Sequence, residues 1–355
     1  MSLKDKVLFL GLGNYGCKQA KIFYDMGYRA MFANGSEQDL KLLGNVPNIY
    51  RLHGFDGFGG HRERALDCLA QNEQFVNALE NTKEEIVFPI YASGGSTGSG
   101  SSIYATELLL NKEIERIVCP INALPSSNEA IVKHVNAYQS VQELLELKDL
   151  GVGATFFINN DIDRDYDYIN KTFACLLHNF LSNNTYGELN NFDESERKEM
   201  LHDCGAIVMS LGKVGTKPAT MIEKITSNGI FAPIESNKVC ENVAIIHSGN
   251  DNKDIEAGVV VTEIGKPKNI FEGYNNEEGT LIVVSGLDYP ISHVKKLGDL
   301  AQKAYDERQR DRKNSSLILS DLNFNEDSIS KSTTQQRKPS TKLDMLRKRM
   351  KKEQV

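Results

Sequence analysis

This 355-residue chain has no tryptophan, no pair of cysteines at C-x-x-C spacing, and no apolar run near the ~18–20 residues of a membrane-spanning helix. Missing tryptophan excludes nothing. Missing C-x-x-C removes the usual zinc and dithiol arrangements. The six cysteines, at 17, 68, 119, 175, 204 and 240, are scattered and mostly lie in apolar runs, as expected of buried thiols in a reducing cytoplasm. Met-Ser-Leu-Lys-Asp-Lys leads straight into a strand, so no signal peptide and a cytoplasmic location are expected. The chain is longer than one core usually accommodates, which predicts two domains and a tail. The net charge of -7 hides an asymmetry. From Lys331 onward nine Lys/Arg face two Asp/Glu, leaving an acidic body and a basic tail, for which an acidic partner is expected.

The stretch Ser93-Gly94-Gly95-Ser96-Thr97-Gly98-Ser99-Gly100-Ser101-Ser102 lies between a strand-like run, Ile86–Tyr91, and a helix-like one, Ile103–Leu110. Bare N–H groups at a helix start, beside the positive end of its dipole, attract anions. Glycine lets that backbone approach a phosphate closely, whereas a flexible linker would not sit tightly between two apolar elements. A second such junction comes first in the chain. The strand Val7–Leu10 runs into Gly11-Leu12-Gly13-Asn14-Tyr15-Gly16, a G-x-G-x-x-G. A Rossmann-type NAD-binding enzyme therefore competes. That fold wants an acid at the end of the next strand, but Arg29–Ala33 ends in Asn34, with Glu37 and Asp39 slightly late. It also leaves the second glycine-rich loop unexplained.

Gly-Gly-Ser-Thr-Gly-Ser-Gly at 94–100 resembles the signature loop of the tubulin/FtsZ superfamily, with Ser96 where glycine is usual. The resemblance implies an α/β fold: a GTP-binding domain with a mostly parallel sheet, a central helix, a smaller second α/β domain, and a C-terminal helix and tail. It also implies a GTPase that polymerises head to tail, with GTP/GDP and Mg²⁺ as cofactors and no protein-built metal site. Further segments then acquire roles. Gly13, Asn14, Tyr15, Gly16, Asn34, Gly94, Gly95, Ser96, Thr97, Gly98 and Ser99 would bind nucleotide. Gly54–Arg62 resembles the γ-phosphate loop, with Gly59 and Gly60 allowing close approach and His61 or Arg62 adding charge; a surface loop is the alternative. Glu129 would meet the ribose, although Ser126-x-x-Glu129 also fits a capping box at a helix start. Asn160, next to Asp161, and Asn170 would read guanine, with Asn159 a near miss; either asparagine alone is an ordinary cap or solvated residue.

The helix 166–184 shows one apolar face through Ile169, Phe173, Leu176, Leu177, Phe180 and Leu181. Beyond its far end, Asn191-x-Asp193-x-x-Glu196 resembles the FtsZ catalytic loop, with Glu196 in place of aspartate. Asp193-x-x-Glu196 is equally a helix start. If Asn170 touches the base, Asp193 lies about 20 Å or more away along the helix. One subunit cannot then serve its own nucleotide, and a head-to-tail neighbour can; such a non-closing contact makes a filament.

The expected divisions are 1–165 for GTP binding, 166–186 for the central helix, 187–290 for a second (activation) domain, 291–314 for a C-terminal helix and 315–355 for a flexible basic tail. Strand-like runs in the second domain are Ala206–Ser210, Val243–His247, Gly258–Thr262 and Leu281–Ser285. Residues 341–355 carry Leu343, Leu346 and Met350 among cations, which suits nucleic acid, an adaptor protein or a membrane surface; a solubilising tail with no partner is the alternative. The Asn14-Tyr15 loop, long terminal helix and basic tail most resemble the TubZ group of plasmid- and phage-partition tubulins. That implies a filament linked to centromeric DNA through a DNA-binding partition adaptor on the tail. Phage spindle and FtsZ-like cell-division tubulins are the near alternatives.

Overall fold

Val7-Leu8-Phe9-Leu10-Gly11-Leu12 offers no polar face, and such a strand belongs in the middle of a parallel sheet. It forms β1 (Val7–Leu12), buried at all six positions. The structure, a computed structural model, describes residues 3–54, 60–69, 71–110, 115–163, 165–182, 192–213, 215–248, 255–275 and 279–314. Around β1 the chain lays down β2 (Arg29–Asn34), β3 (Ile49–Arg51), β4 (Ile86–Ala92), β5 (Ile117–Val118), β6 (Ile121–Leu124), β7 (Ala154–Asn159), β8 (Gly205–Gly212), β9 (Asn242–Ser248), β10 (Asn269–Asn275) and β11 (Thr280–Leu287). They join one sheet in the order β10-β9-β11-β8-β7-β6-β4-β1-β2-β3, with β5 also on β4. Among the pairings between these strands only those of β11, with β8 and β9, are antiparallel; a single antiparallel bridge also joins Ile158 of β7 to Phe231. The mostly parallel α/β architecture is thus present.

The helices are α1 (Gly13–Asp25), α2 (Glu37–Lys41), α3 (Glu63–Leu69), α4 (Glu73–Glu80), α5 (Thr97–Leu109), α6 (Ile131–Glu146), α7 (Tyr166–Leu181), α8 (Glu194–His202), α9 (Pro218–Thr226), α10 (Ala257–Ile264) and α11 (Ile291–Asn314). The chain divides into Met1–Arg308, which holds the whole sheet, and Gln309–Val355, of which Gln309–Asn314 continue α11. No helix among the described residues is long and apolar enough to cross a membrane. Asn191, Gly59 and the tail 315–355 lie outside the described residues.

The expected apolar face of α7 is buried throughout, from Ile169 to Leu181. Asp165 caps its start, accepting from the N–H groups of Asp167 at 3.0 Å and Tyr168 at 3.2 Å. Phe173 meets Phe23 of α1, Phe156 of β7 and Phe231 edge-on, so α7 is wedged between the first helix and the sheet.

Four local expectations change. Gly258–Thr262 reads as a strand because of its valines, yet forms α10; Val260 and Ile264, four apart, are its buried positions, so packing overrides β-branched propensity. Helix α5 begins at Thr97, making half of the glycine/serine loop its first turns. Ser101 Oγ donates to the Thr97 carbonyl at 2.7 Å, and Ser102 Oγ to that of Ser99 at 3.2 Å, which satisfies those hydroxyls inside the helix. Pro125–Glu129 is a turn, with α6 starting only at Ile131. The expected burial of the cysteines holds for Cys17, Cys119 and Cys240, while Cys175 and Cys204 are exposed.

Candidate functional site

The carboxyl ends of β1, β2 and β4 surround an open cavity of about 750 Å³. The order β3-β2-β1-β4 reverses direction between β1 and β4, and ligands of open parallel sheets bind at such switch points. Leu12–Tyr15 and Ala92, Gly95–Gly98 form one wall; Asn34, Ser36–Asp39 and Arg51 form another. Of the nucleotide-binding candidates, the structure thereby brings together Gly13, Asn14, Tyr15, Asn34, Gly95, Ser96, Thr97 and Gly98.

Two helices begin at this cavity. Neither Leu12, the cap of α1, nor Ser96, the cap of α5, makes a side-chain capping bond, so the first-turn N–H groups of both have no intrahelical partner. Gly13 holds a φ of 72°, and a Cβ there would lie 2.9 Å from the Gly98 nitrogen. The two glycine-rich segments therefore touch, and their dipoles point into one space. Gly16 does not line the cavity; a side chain there would collide with the Ile90 carbonyl, so it sets the packing of α1 on β4. Ser99 is fully buried and accepts from Arg62 Nε at 3.0 Å.

Arg62 is not available to a phosphate. Its guanidinium is buried, forms a forked pair with Glu143 at 2.7 Å through both nitrogens, and donates again to the Ser99 carbonyl at 3.0 Å. This corrects the charge expected of it: the group is spent joining the 60s loop to α5 and α6. Gly60 takes a φ of 90° beside Val132.

Glu129 is outside the cavity lining. Its Oε1 accepts from the Ser126 N–H at 3.1 Å and from Tyr166 Oη at 3.4 Å, and Lys133 pairs with Oε2. Half of the capping-box expectation is therefore seen, on a turn. Asn159 is engaged, its Oδ1 accepting from the Asp161 N–H at 3.0 Å, and Asn160 follows half-buried. Asp161 takes hydrogen bonds from Ser126 Oγ at 2.9 Å and from the N–H and Oγ of Ser127 at 2.7 and 2.9 Å. Burial opposes its charge, and these bonds outweigh it, holding the carboxyl below its ordinary range. At Asn170 the backbone carbonyl accepts from Gln19 Nε2 at 3.1 Å. Asn170 Oδ1, Gln19 Oε1 and Tyr15 Oη are buried with no hydrogen-bond partner. Each such orphan costs on the order of 1–3 kcal/mol; of these residues Tyr15 lines the cavity, while Gln19, Asn160 and Asn170 do not.

Sequence reading missed Arg51 and the roles of Ser36–Asp39. Ser36 caps α2, and Glu37 bridges Lys41 at 2.8 Å and Arg51 at 3.0 Å. The Lys41 hydrogen bond, then the Lys41 and Arg51 charges, hold Glu37 below the usual carboxylate range. Arg51 reaches the site only because β3 pairs with β2, opposite Asn34. No local signal could reveal that.

Asp193 and Glu196 are elsewhere. Asp193 Oδ1 accepts from the Glu196 N–H at 2.9 Å and Glu196 Oε2 from the Asp193 N–H at 2.8 Å, a complete capping box on α8. The box uses one oxygen of each carboxylate. Arg197, beside them, donates to the carbonyls of Phe180 at 2.7 Å, Ser182 at 3.1 Å and Phe192. The pair therefore sits at the carboxyl end of α7, whose amino end meets α1 and Glu129. Sixteen residues of helix separate those ends by about 24 Å.

No protein-family profile matches the chain. It is 23% identical over 314 residues to the tubulin-like protein TubZ of Clostridium botulinum C phage, covering 86% of each. The crystal structure of Clostridium botulinum phage c-st TubZ superposes with a TM-score of 0.76 at 20% identity, over 86% of this chain and 99% of that one. A GTPγS-form protofilament of TubZ from Bacillus thuringiensis serovar israelensis gives 0.74 at 13% identity, over 88% and 94%. This is the tubulin/FtsZ fold in its TubZ-like form. In this chain the cavity and the Asp193–Glu196 pair occupy opposite ends of α7.

Proposed function

We propose that the chain is a GTPase that polymerises head to tail, each subunit's α8 start completing the site of the next. The observation that carries it is the meeting of two uncapped helix N-termini, of α1 and α5, in one cavity at the sheet's switch point. That cradle suits a chain of phosphates. The Rossmann alternative uses the start of α1 and leaves that of α5 without a ligand.

In this reading Gly13–Tyr15 and Gly95–Gly98 hold the phosphates, with Gly16, Gly94 and Ser99 shaping the two loops from behind, and Asn34 orients the sugar side. Asn160 and Asn170 would read guanine, an amide pairing with the base edge through both donor and acceptor. Glu129 would need to release Lys133 to meet the ribose. Gly59 and Gly60 belong to the loop approaching the terminal phosphate. Mg²⁺ would be held by phosphate oxygens and water. It would offset phosphate charge. The second oxygens of Asp193 and Glu196, with Asn191, would orient water at the neighbour's terminal phosphate.

Residues 1–165 would then bind nucleotide, α7 divide the body, and 187–290 present the activating face. The basic segment 341–355 would hold a DNA-binding partition adaptor, linking the filament indirectly to centromeric DNA in the cytoplasm. Electron microscopy of the purified chain with GTP, a slowly hydrolysed analogue and GDP tests the core claim. Filaments are expected with the first two; equal assembly with GDP alone would remove nucleotide control.

A further inference from the structure

Helix α6 bonds to three loops, at Gly60–Arg62, Gly94–Gly95 and Ser126, without lining the cavity. His134 Nε2 donates to the Ser126 carbonyl at 2.9 Å, Glu143 holds Arg62, and Asn136, 4% exposed, lies between them. The Asn136 amide nitrogen faces three carbonyl oxygens: Gly60 at 2.8 Å, Gly94 at 3.3 Å and Gly95 at 3.3 Å. These belong to two loops more than 30 residues apart. In a trans peptide the carbonyl and the following N–H point in opposite directions. Drawing the Gly94 and Gly95 carbonyls toward α6 therefore turns the N–H groups of Gly95 and Ser96 away from it. That of Gly95 closes a turn on the Ala92 carbonyl at 3.1 Å. That of Ser96 is left on the side where Ser96 lines the cavity. A peptide flip at 95–96 would put an oxygen there and repel an anion.

We propose that Asn136 is a positioning residue of the phosphate cradle: its single amide group fixes the 95–96 peptide with its N–H toward the cavity and locks the Gly60 loop to it. This rests on the reading of the cavity as a phosphate site. Three acceptors converge on one donor group, so the arrangement tolerates no side chain that only accepts. Neither Ala nor ionised Asp can replace it. A protonated Asp can, because its O–H donates.

The test measures GTP binding by calorimetry to the full chain, below its assembly concentration, for wild type, Asn136→Ala and Asn136→Asp. The range runs from about pH 8 to about pH 5.5, spanning the titration of a carboxyl raised by burial among carbonyls. Asn136→Ala should bind about tenfold more weakly at every pH, because the amide's hydrogen bonds to the three carbonyls are lost. Asn136→Asp should match it at high pH and recover toward wild type as pH falls. A role in packing alone would give no recovery specific to Asp, and that result overturns the proposal, as does wild-type affinity in both variants. If Asn136→Asp does not fold, Asn136→Ser, whose hydroxyl is too short to span the three carbonyls, takes its place; unchanged affinity in it counts against the proposal. Failure of the wild-type chain itself to bind GTP overturns the functional reading instead, which separates the two.

Discussion

At Gly98 an added methyl group would lie 2.5 Å from the Leu12 carbonyl oxygen, well inside van der Waals contact, so the start of α1 and the start of α5 could not both keep their places. At Gly95 the nearest atom would be 3.3 Å away, a contact that a small shift relieves. Gly98→Ala should therefore lose at least tenfold in GTP affinity by calorimetry, and Gly95→Ala should lose much less. Equal losses would mean that the cradle depends on loop flexibility rather than on close approach. Asp203 makes a separate prediction about stability. Burial raises its carboxyl above the ordinary range, partly offset by hydrogen bonds from Ser285 Oγ at 2.6 Å and Asn242 Nδ2 at 2.7 Å. The folded chain thus keeps this proton after the unfolded chain has lost it. The associated stability is full below the unfolded value of about 3.9 and is lost as pH rises through the raised folded value. Asp203→Asn, which keeps an acceptor for both partners, should flatten that loss in urea titrations across the acid range; an unchanged slope would show that Asp203 is not its source.

The capping box of α8 shows how one element can serve two purposes. Asp193 caps the helix, and removing that cap costs about 1 kcal/mol. If capping were its only role, Asp193→Asn, which also caps well, would turn over GTP normally. In the proposed arrangement the carboxylate is needed, so Asp193→Asn should form filaments that persist, with phosphate release nearly abolished. Asp193→Ala should do the same with a lower melting temperature. Filament pelleting, phosphate release and thermal unfolding on the same samples distinguish the two roles. The charged contacts around α8 act on its placement: Lys6 and Lys198 pair with Glu194 at 2.6 and 2.9 Å, and both also reach Glu85, at 3.6 and 2.6 Å. These side chains are partly exposed, so each pair contributes little alone; together they fasten α8 to the strand starts of the sheet.

For the whole molecule the decisive feature is polarity. The cavity and the Asp193–Glu196 pair lie at opposite ends of α7, so GTP turnover per subunit should rise with protein concentration and fall away below the assembly threshold. Full turnover by isolated subunits, measured as phosphate release over a dilution series, would contradict the division of labour. Removal of 341–355 should leave assembly intact and abolish recruitment of adaptor-bound DNA in a co-pelleting assay. Unchanged recruitment would move that function elsewhere on the chain.

By itself the sequence determined the parts whose signals are local. A fully apolar run made β1, a period of 3.6 made α7, glycines at strand-to-helix junctions marked the two helix starts, and Asp193-x-x-Glu196 announced a cap. Where local signals conflicted, they misled: the valines of 258–262 suggested a strand, but burial of Val260 and Ile264 made a helix. Only the tertiary structure decided which distant groups meet. Arg51 faces Asn34 through strand register, Arg62 is buried against Glu143 instead of reaching the cavity, and Asn136 joins loops that the sequence keeps far apart. The reason is physical: propensity and capping act over one or two turns of chain, whereas pairing and packing act between surfaces, and no spacing along the chain encodes which surfaces will touch.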